Sequence, residues 1–128
     1  MALRDQLRIM VVDDMSTSRG LITQALDAFG IRNVAAVADG KSALEAIARS
    51  PVHLVISDFN MPGMSGLQLL QHLRQNAATK GTGFILITGR ADRETIETGR
   101  RLGMNNFIKK PFTPQDLRAC IEAVVGRL

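Results

Sequence analysis

Apolar residues fall into five short runs along the chain, at 9–12, 34–37, 54–56, 84–87 and 106–108. Their shortness and the β-branched content of most predict strands. They are near-continuously apolar rather than alternating, as expected of a parallel sheet covered on both faces. The stretches between them have helical spacing. Ile22, Ala25, Leu26 and Phe29 recur at intervals of three and four, and Gly30 closes that helix as a C-cap glycine does. Leu44, Ile47 and Ala48 mark a second helix after the Asp39-Gly40 turn, and Leu67, Leu70 and Leu73 a third. The stretch 92–102 is weakest, with Ile96 and Leu102 as its only large apolar residues. The last helix opens with Thr113 as N-cap, Pro114 at the first helical position and Asp116 three residues after the cap. Leu117, Cys120, Ile121 and Val124 then line one face. Five strands alternating with five helices predict a doubly wound α/β fold. No linker, repeat or low-complexity segment interrupts it, so residues 1–128 are expected to form one domain without an effector domain.

At 128 residues with 45% hydrophobic and 22% charged, the chain has the balance of a single globular domain. No apolar run approaches the ~20 residues of a membrane span. Asp5 and Arg8 interrupt the N-terminus before a signal-peptide core could form. The one cysteine, Cys120, excludes an internal disulfide and a cysteine-rich zinc site. A reduced, cytoplasmic protein is the expectation. The net charge of +4 raises the question of a nucleic-acid partner, but its distribution argues against one. From residue 90 onward there are eight basic and five acidic residues, against eight and seven before it, with no basic run in either part. Tyr and Trp are absent, and the five Phe form no base-stacking pattern.

Ligands of an open parallel sheet bind beyond the carboxyl ends of its strands. The first run ends in Asp13-Asp14, the third in Asp58, the fourth in Thr88 and the fifth in Lys109-Lys110-Pro111. Three carboxylates, a hydroxyl and a lysine therefore share one rim. Carboxylates gathered in this way repel one another unless a cation is present, and oxygen ligands without His or Cys suit a hard ion such as Mg²⁺. Lysine and threonine are ready donors to phosphoryl oxygens, and an aspartate in such a place can act as a nucleophile that forms an acyl phosphate. Singly, each acid has a structural explanation: Asp13 and Asp14 as caps of the first helix with Ser16 and Thr17, Asp58 as the start of a turn. Jointly, with Lys110 opposite, they point to a phosphoryl and metal site. His53 and His72 lie away from this rim, and Cys120 has the spacing of a core residue.

Three segments in order, Asp13-Asp14 with the following Ser16-Thr17-Ser18-Arg19, Asp58-Phe59-Asn60-Met61-Pro62-Gly63, and Lys110-Pro111-Phe112, resemble the receiver domain of two-component response regulators. The likeness runs from about Arg8 to the C-terminus and is greatest to the stand-alone chemotaxis receivers. It implies a flavodoxin-like sheet of order 2-1-3-4-5. It implies that Asp58 is the phospho-acceptor, supplied by a sensor histidine kinase of the chemotaxis (CheA-like) type. Mg²⁺ would be held by Asp14 and Asp58, by Asp13 mostly through water, and by the backbone carbonyl of Asn60. Thr88 and Lys110 would bind phosphoryl oxygens, and the Lys110–Pro111 bond would be cis. The resemblance makes Phe107 the aromatic switch partner of Thr88, where the chemotaxis pattern usually has tyrosine; Phe107 lacks the hydroxyl. The side chains of Asn60 and Arg90 would flank the path of attacking water and set the lifetime of the phosphoryl group. Slow self-dephosphorylation would make the chain a switch and not a classical enzyme.

The output face implied is the fourth predicted helix, the fifth strand and the fifth predicted helix, with a flagellar motor switch protein as a plausible partner. A phosphate sink or relay receiver would look the same in sequence, and a monomer is the default. Two rivals fit less well. A flavin protein of this topology would set Asp13-Asp14 against the flavin phosphate with no Trp or Tyr to stack on the ring. A haloacid-dehalogenase-like phosphohydrolase needs a second aspartate two residues after the nucleophile, and Asn60 stands there. The output region carries Arg90, Arg93, Arg100, Arg101, Lys109 and Arg118. Its partner is therefore expected to be an acidic peptide whose binding weakens as salt rises; affinity independent of ionic strength in a titration would overturn this.

Overall fold

The computed structural model describes residues 2–89 and 92–128. The elements are α1 (Leu3–Gln6), β1 (Arg8–Val12), α2 (Ser16–Ala28), β2 (Asn33–Val37), α3 (Gly40–Arg49) and β3 (Leu54–Asp58). They continue with α4 (Gly66–Gln75), β4 (Gly83–Thr88), α5 (Arg93–Leu102), β5 (Asn106–Lys109) and α6 (Pro114–Val125). The five strands form one parallel sheet in the order β2-β1-β3-β4-β5. All five expected strands are present, and the order is the one the family resemblance implies.

The helix count differs from the five expected: the described residues form six. The extra one, α1, is a single turn closed by the Leu7 N–H on the Leu3 carbonyl (3.0 Å). Four residues cannot display a 3.6-residue period, so the pattern of apolar positions is silent there. The turn seats Leu7 in the core below the sheet.

Side chains alternate across each central strand and divide the core into two layers. Ile9, Val11, Leu54, Ile56, Ile85 and Ile87 meet α2 and α6 through Ile22, Leu26, Leu117 and Ile121. Met10, Val12, Val55, Phe84 and Leu86 meet α3 and α4 through Ala43, Ile47, Leu69, Leu70 and Leu73. Two-sided burial holds for β1, β3 and β4. It fails for β2, where Asn33, Ala35 and Ala36 are exposed because this strand is the sheet's edge. On α4, Leu69, Leu70 and Leu73 are fully buried while Leu67 is only half-buried, so the inward stripe is shifted from the one the leucine spacing suggests.

Capping chemistry sets most helix starts. The side chains of Asp39 and Asp92 accept from the N–H groups of Ser42 (2.7 Å) and Thr95 (2.8 Å). Ser65 with Gln68, and Thr113 with Asp116, form reciprocal capping boxes. The weak pattern of α5 has a packing explanation. Its buried positions are Thr95 and Gly99, and a side chain at Gly99 would run into the sulfur of Met104. Close approach replaces bulk on this helix.

Arg74 ties the end of α4 to the turn after α5. Its Nε and Nη2 donate to the Gly103 carbonyl (3.1 and 2.9 Å), Nη1 to the Lys80 carbonyl (3.1 Å) and Nη2 also to Asn105 Oδ1 (3.1 Å). Gly103 ends α5 at φ 99°, a left-handed conformation that suits glycine. Asn105 Oδ1 accepts in turn from the Phe84 N–H (2.8 Å), which joins this cluster to β4. Arg74→Ala strips the partly buried Gly103 carbonyl of both its guanidinium donors and removes the bonds to Lys80 and Asn105 at the same time. It is expected to cost about 1–3 kcal/mol in urea unfolding, with Arg74→Lys recovering part of the loss; a loss confined to a few tenths would show that water replaces the guanidinium.

Candidate functional site

Strand register brings the candidate residues level with one another. Val12 pairs with Ser57, so Asp13 follows β1 beside Asp58, the last residue of β3. The Asp13 N–H donates to the Val37 carbonyl (3.1 Å), extending the β1–β2 ladder by one step. Thr88 pairs with Lys109, which places Lys110 next in line, and the Lys110 N–H donates to the Thr88 carbonyl (2.9 Å). Because all strands are parallel, these ends share one rim.

Asp13, Asp14 and Asp58 each bring a carboxylate oxygen within 4.8 Å of the others. Asp13 and Asp58 are buried, at 0% and 6% exposure, while Asp14 faces solvent. The capping alternative for Asp13 and Asp14 does not describe what forms: the N-cap of α2 is Met15, with no side-chain cap. Asp13 instead accepts from the Met15 N–H (3.0 Å) and from the Ser18 hydroxyl, and its backbone carbonyl accepts from Arg19 Nη1 (2.8 Å). An all-oxygen cluster open on the Asp14 side suits a hard, hydrated cation such as Mg²⁺.

Asp58 is paired. Lys110 Nζ lies 3.1 Å from Asp58 Oδ1, with the Asp58 side chain 7% exposed. Burial nevertheless pushes the Asp58 carboxyl above its ordinary value; Lys110 pulls it back without cancelling the shift, and Asp13 adds to the rise. Beside it, Asp58, Phe59, Asn60, Thr88 and Gly89 line a cleft of about 220 Å³. Thr88 is buried at the end of β4, and Asn60 is exposed at the cleft's edge. The Lys110–Pro111 peptide bond is cis.

Phe107 stands apart from this cluster. It is half-buried on β5, level with Leu86 of β4 and packed against the core cluster on the sheet face that α5 covers. Arg90 lies outside the described residues. Of the basic residues expected on the output face, Arg93, Arg100, Arg101 and Lys109 are exposed on α5 and β5. Arg118, on α6, lies over the ring of Phe29 just after α2 at 5.8 Å and pairs with Glu122 at 3.7 Å. His53 accepts the Arg8 N–H on Nδ1 (3.0 Å), at the start of β1 and far from the acidic rim. Burial pushes the Cys120 thiol up to about 11, consistent with a packing residue.

Two supporting residues escape a reading by composition. Ser18 reaches Asp13 from the first turn of α2. Gly66 opens α4 against the main chain of Asp58, whose carbonyl oxygen a Cβ would overlap, while its N–H donates to the Phe59 carbonyl (2.9 Å). The signals available were a serine five residues after Asp13 and a glycine just inside a capped helix, and neither singles itself out.

A doubly wound sheet that gathers three acids, a lysine and a buried threonine at its carboxyl rim defines a class: α/β proteins with an acidic cluster at the strand ends that could hold a metal ion. The response regulator receiver domain family matches residues 9–122. A probable chemotaxis protein CheY of Rhizobium etli is 41% identical over 128 residues, which is 100% of this chain and 99% of that protein. Among solved structures, the chemotaxis protein CheY4 of Vibrio cholerae superposes with a TM-score of 0.87 at 28% identity, covering 92% of this chain and 98% of that one. The receiver domain of a Pseudomonas aeruginosa sensor histidine kinase, which has a magnesium ion coordinated in its active-site cleft, superposes at 0.85 with 25% identity over 94% of this chain and 98% of that one. The chain belongs to the response regulator receiver domain family, and within it is a CheY-like receiver of a two-component system. Receivers of this type are phospho-acceptor signalling proteins and not classical enzymes. Among the described residues, no helix is long and apolar enough to cross a membrane.

The raised Asp58 pKa fixes the sign of a pH effect. Its stabilising contribution is complete below the unfolded value of 3.8 and is lost as pH rises through the higher folded value. At neutral pH the charged carboxylate opposes the metal-free fold. Asp58→Asn is therefore expected to raise the thermal midpoint in EDTA at neutral pH by a few degrees, with the gain shrinking as the pH falls toward 3.8. A lowered neutral-pH midpoint would mean that the Lys110 pair outweighs desolvation.

Proposed function

We propose that the chain is a single-domain response regulator that takes a phosphoryl group from a histidine kinase onto Asp58. The observation that supports this best is the buried Asp58 carboxylate, joined to Lys110 at 3.1 Å within reach of Asp13 and Asp14. An Asp58 oxygen attacks phosphorus, the phosphorus–nitrogen bond of the donor phosphohistidine breaks, and the imidazole leaves. Asp13, Asp14, Asp58 and the Asn60 carbonyl would hold Mg²⁺, which supplies charge neutralisation on the transferred oxygens. Lys110 follows the negative charge from the Asp58 carboxylate to a phosphoryl oxygen, because phosphorylation removes the carboxylate charge it was paired with. The Thr88 hydroxyl donates to another oxygen across the cleft. Positioning does most of the work in such a transfer.

Attack of water on phosphorus returns Asp58 and releases phosphate, so the state is self-limiting; the Asn60 and Arg90 side chains tune that step. The Asn60 carboxamide cannot act as an acid or base to shuttle a proton, which argues against turnover of free phosphate esters. Movement of Thr88 toward the phosphoryl group frees space that Phe107 fills, altering the face formed by α5, β5 and α6. That face carries Arg93, Arg100, Arg101 and Lys109 and suits an acidic partner, for which a flagellar motor switch protein is the leading candidate. The protein works as a cytoplasmic monomer, and residues 1–128 act as one receiver unit.

Intact mass after incubation with Mg²⁺ and acetyl phosphate tests the assignment. One phosphoryl adduct is expected, absent with excess EDTA and absent from Asp58→Asn. An adduct that survives the substitution would transfer the role to another residue. No adduct with either acetyl phosphate or a phosphorylated kinase would leave an adaptor and not a phospho-receiver.

A further inference from the structure

Asp13 is the one fully buried acid of the cluster, and its orientation depends on two donors. The Met15 N–H takes Oδ1 at 3.0 Å, and the Ser18 hydroxyl takes Oδ2 in a short hydrogen bond. A carboxylate has about four acceptor positions, so one donor on each oxygen leaves one lone pair of each for the rim. Donors on both oxygens also fix the plane of the group, which one donor alone does not. The Met15 amide comes with the backbone of any residue at that position. The Ser18 hydroxyl is specific to this side chain.

Ser18 is the third residue of α2, where a serine would ordinarily be solvated or bonded to nearby backbone. Here the helix has no side-chain cap, and the hydroxyl reaches back out of its first turn to the acid at the end of β1. The next residue, Arg19, holds the Asp13 carbonyl at 2.8 Å, so the first turn of α2 grips both the side chain and the backbone of Asp13. A neutral donor orients the carboxylate while leaving its full negative charge for a cation. An arginine in the same place would cancel that charge.

We infer that Ser18 is a positioning residue that sets the affinity of the acidic cluster for its divalent cation by holding the Asp13 carboxylate through the Ser18 hydroxyl. This rests on the cation site of the proposed function. The role lies one step outside the ligands, since Ser18 acts only through Asp13.

The test is calorimetric titration of MgCl₂ into the EDTA-stripped, unphosphorylated protein, for the unsubstituted chain, Ser18→Ala and Ser18→Thr. Losing such a support typically weakens metal affinity by 10–100-fold, and at this partly open rim about tenfold is expected for Ser18→Ala. Ser18→Thr keeps the hydroxyl and is expected to stay within about twofold of the unsubstituted chain. Thermal midpoints in EDTA separate this from a loss of fold: a purely structural serine would lower the midpoint of Ser18→Ala without moving its Mg²⁺ affinity. Unchanged or tighter binding in Ser18→Ala overturns the inference, as does equal weakening in Ser18→Thr. No saturable heat from the unsubstituted chain would remove the cation site itself, a failure distinct from an intact site that ignores Ser18.

Discussion

Asp13 and Asp58 are like charges buried side by side, an arrangement that water would relieve and the fold does not. The Asp58 carboxyl sits above its ordinary value even with the Lys110 ammonium 3.1 Å away, because the lysine offsets only part of the burial. Much of the local architecture addresses this one electrostatic problem. Strand β5 runs parallel to β4 and delivers Lys110 to the rim. The first turn of α2 supplies neutral donors to Asp13, and the exposed Asp14 leaves the cluster open on one side. A concentration of negative charge attracts cations, and the three acids lie close enough together to hold a metal ion.

The layers around the sheet are built differently on its two sides. Beneath it, α2 and α6 pack large aliphatic side chains against β1, β3 and β4. Above it, α3 and α4 do the same, but α5 rests on Thr95 and Gly99 and approaches Met104 closely. The small buried face of α5 gives it less apolar area to hold it in place, while Arg74 pins the turn at its C-terminal end. The helix is thus anchored at one end, and its N-terminal end lies on the side of the sheet where Thr88 and Asp58 meet.

The close approach of α4 to the site carries its own constraint. Gly66 lets the helix begin directly against the Asp58 main chain, and the capping box of Ser65 and Gln68 fixes where that beginning falls. The loop carrying Phe59 and Asn60 is therefore held between a strand end and a capped helix. That explains how an exposed residue such as Asn60 keeps a defined place at the edge of the cleft.

Local chemistry made much of this legible from the residues alone. Apolar runs marked all five strands: β1, β3 and β4 are buried on both faces, and the edge strands β2 and β5 keep short runs of their own; the Thr113-Pro114-Asp116 start of α6 was readable because a capping box is contained within four residues. The rim acids, Thr88 and Lys110 followed from asking which residues end each strand. The one-turn helix α1 was not legible, since a single turn has no period. Nor were the exposure of β2, which depends on its place at the edge, or the turning of Arg118 toward Phe29, which depends on which helices are neighbours. Ser18 and Gly66 gain their meaning only from partners brought close by the fold: a carboxylate at the end of β1, and a backbone carbonyl at the end of β3. Periodicity, caps and strand ends are properties of neighbouring residues and are carried by the sequence itself. Charge pairing, the fit of a glycine and the aim of a hydroxyl are set by distances across the chain, and only the packed tertiary structure decides those.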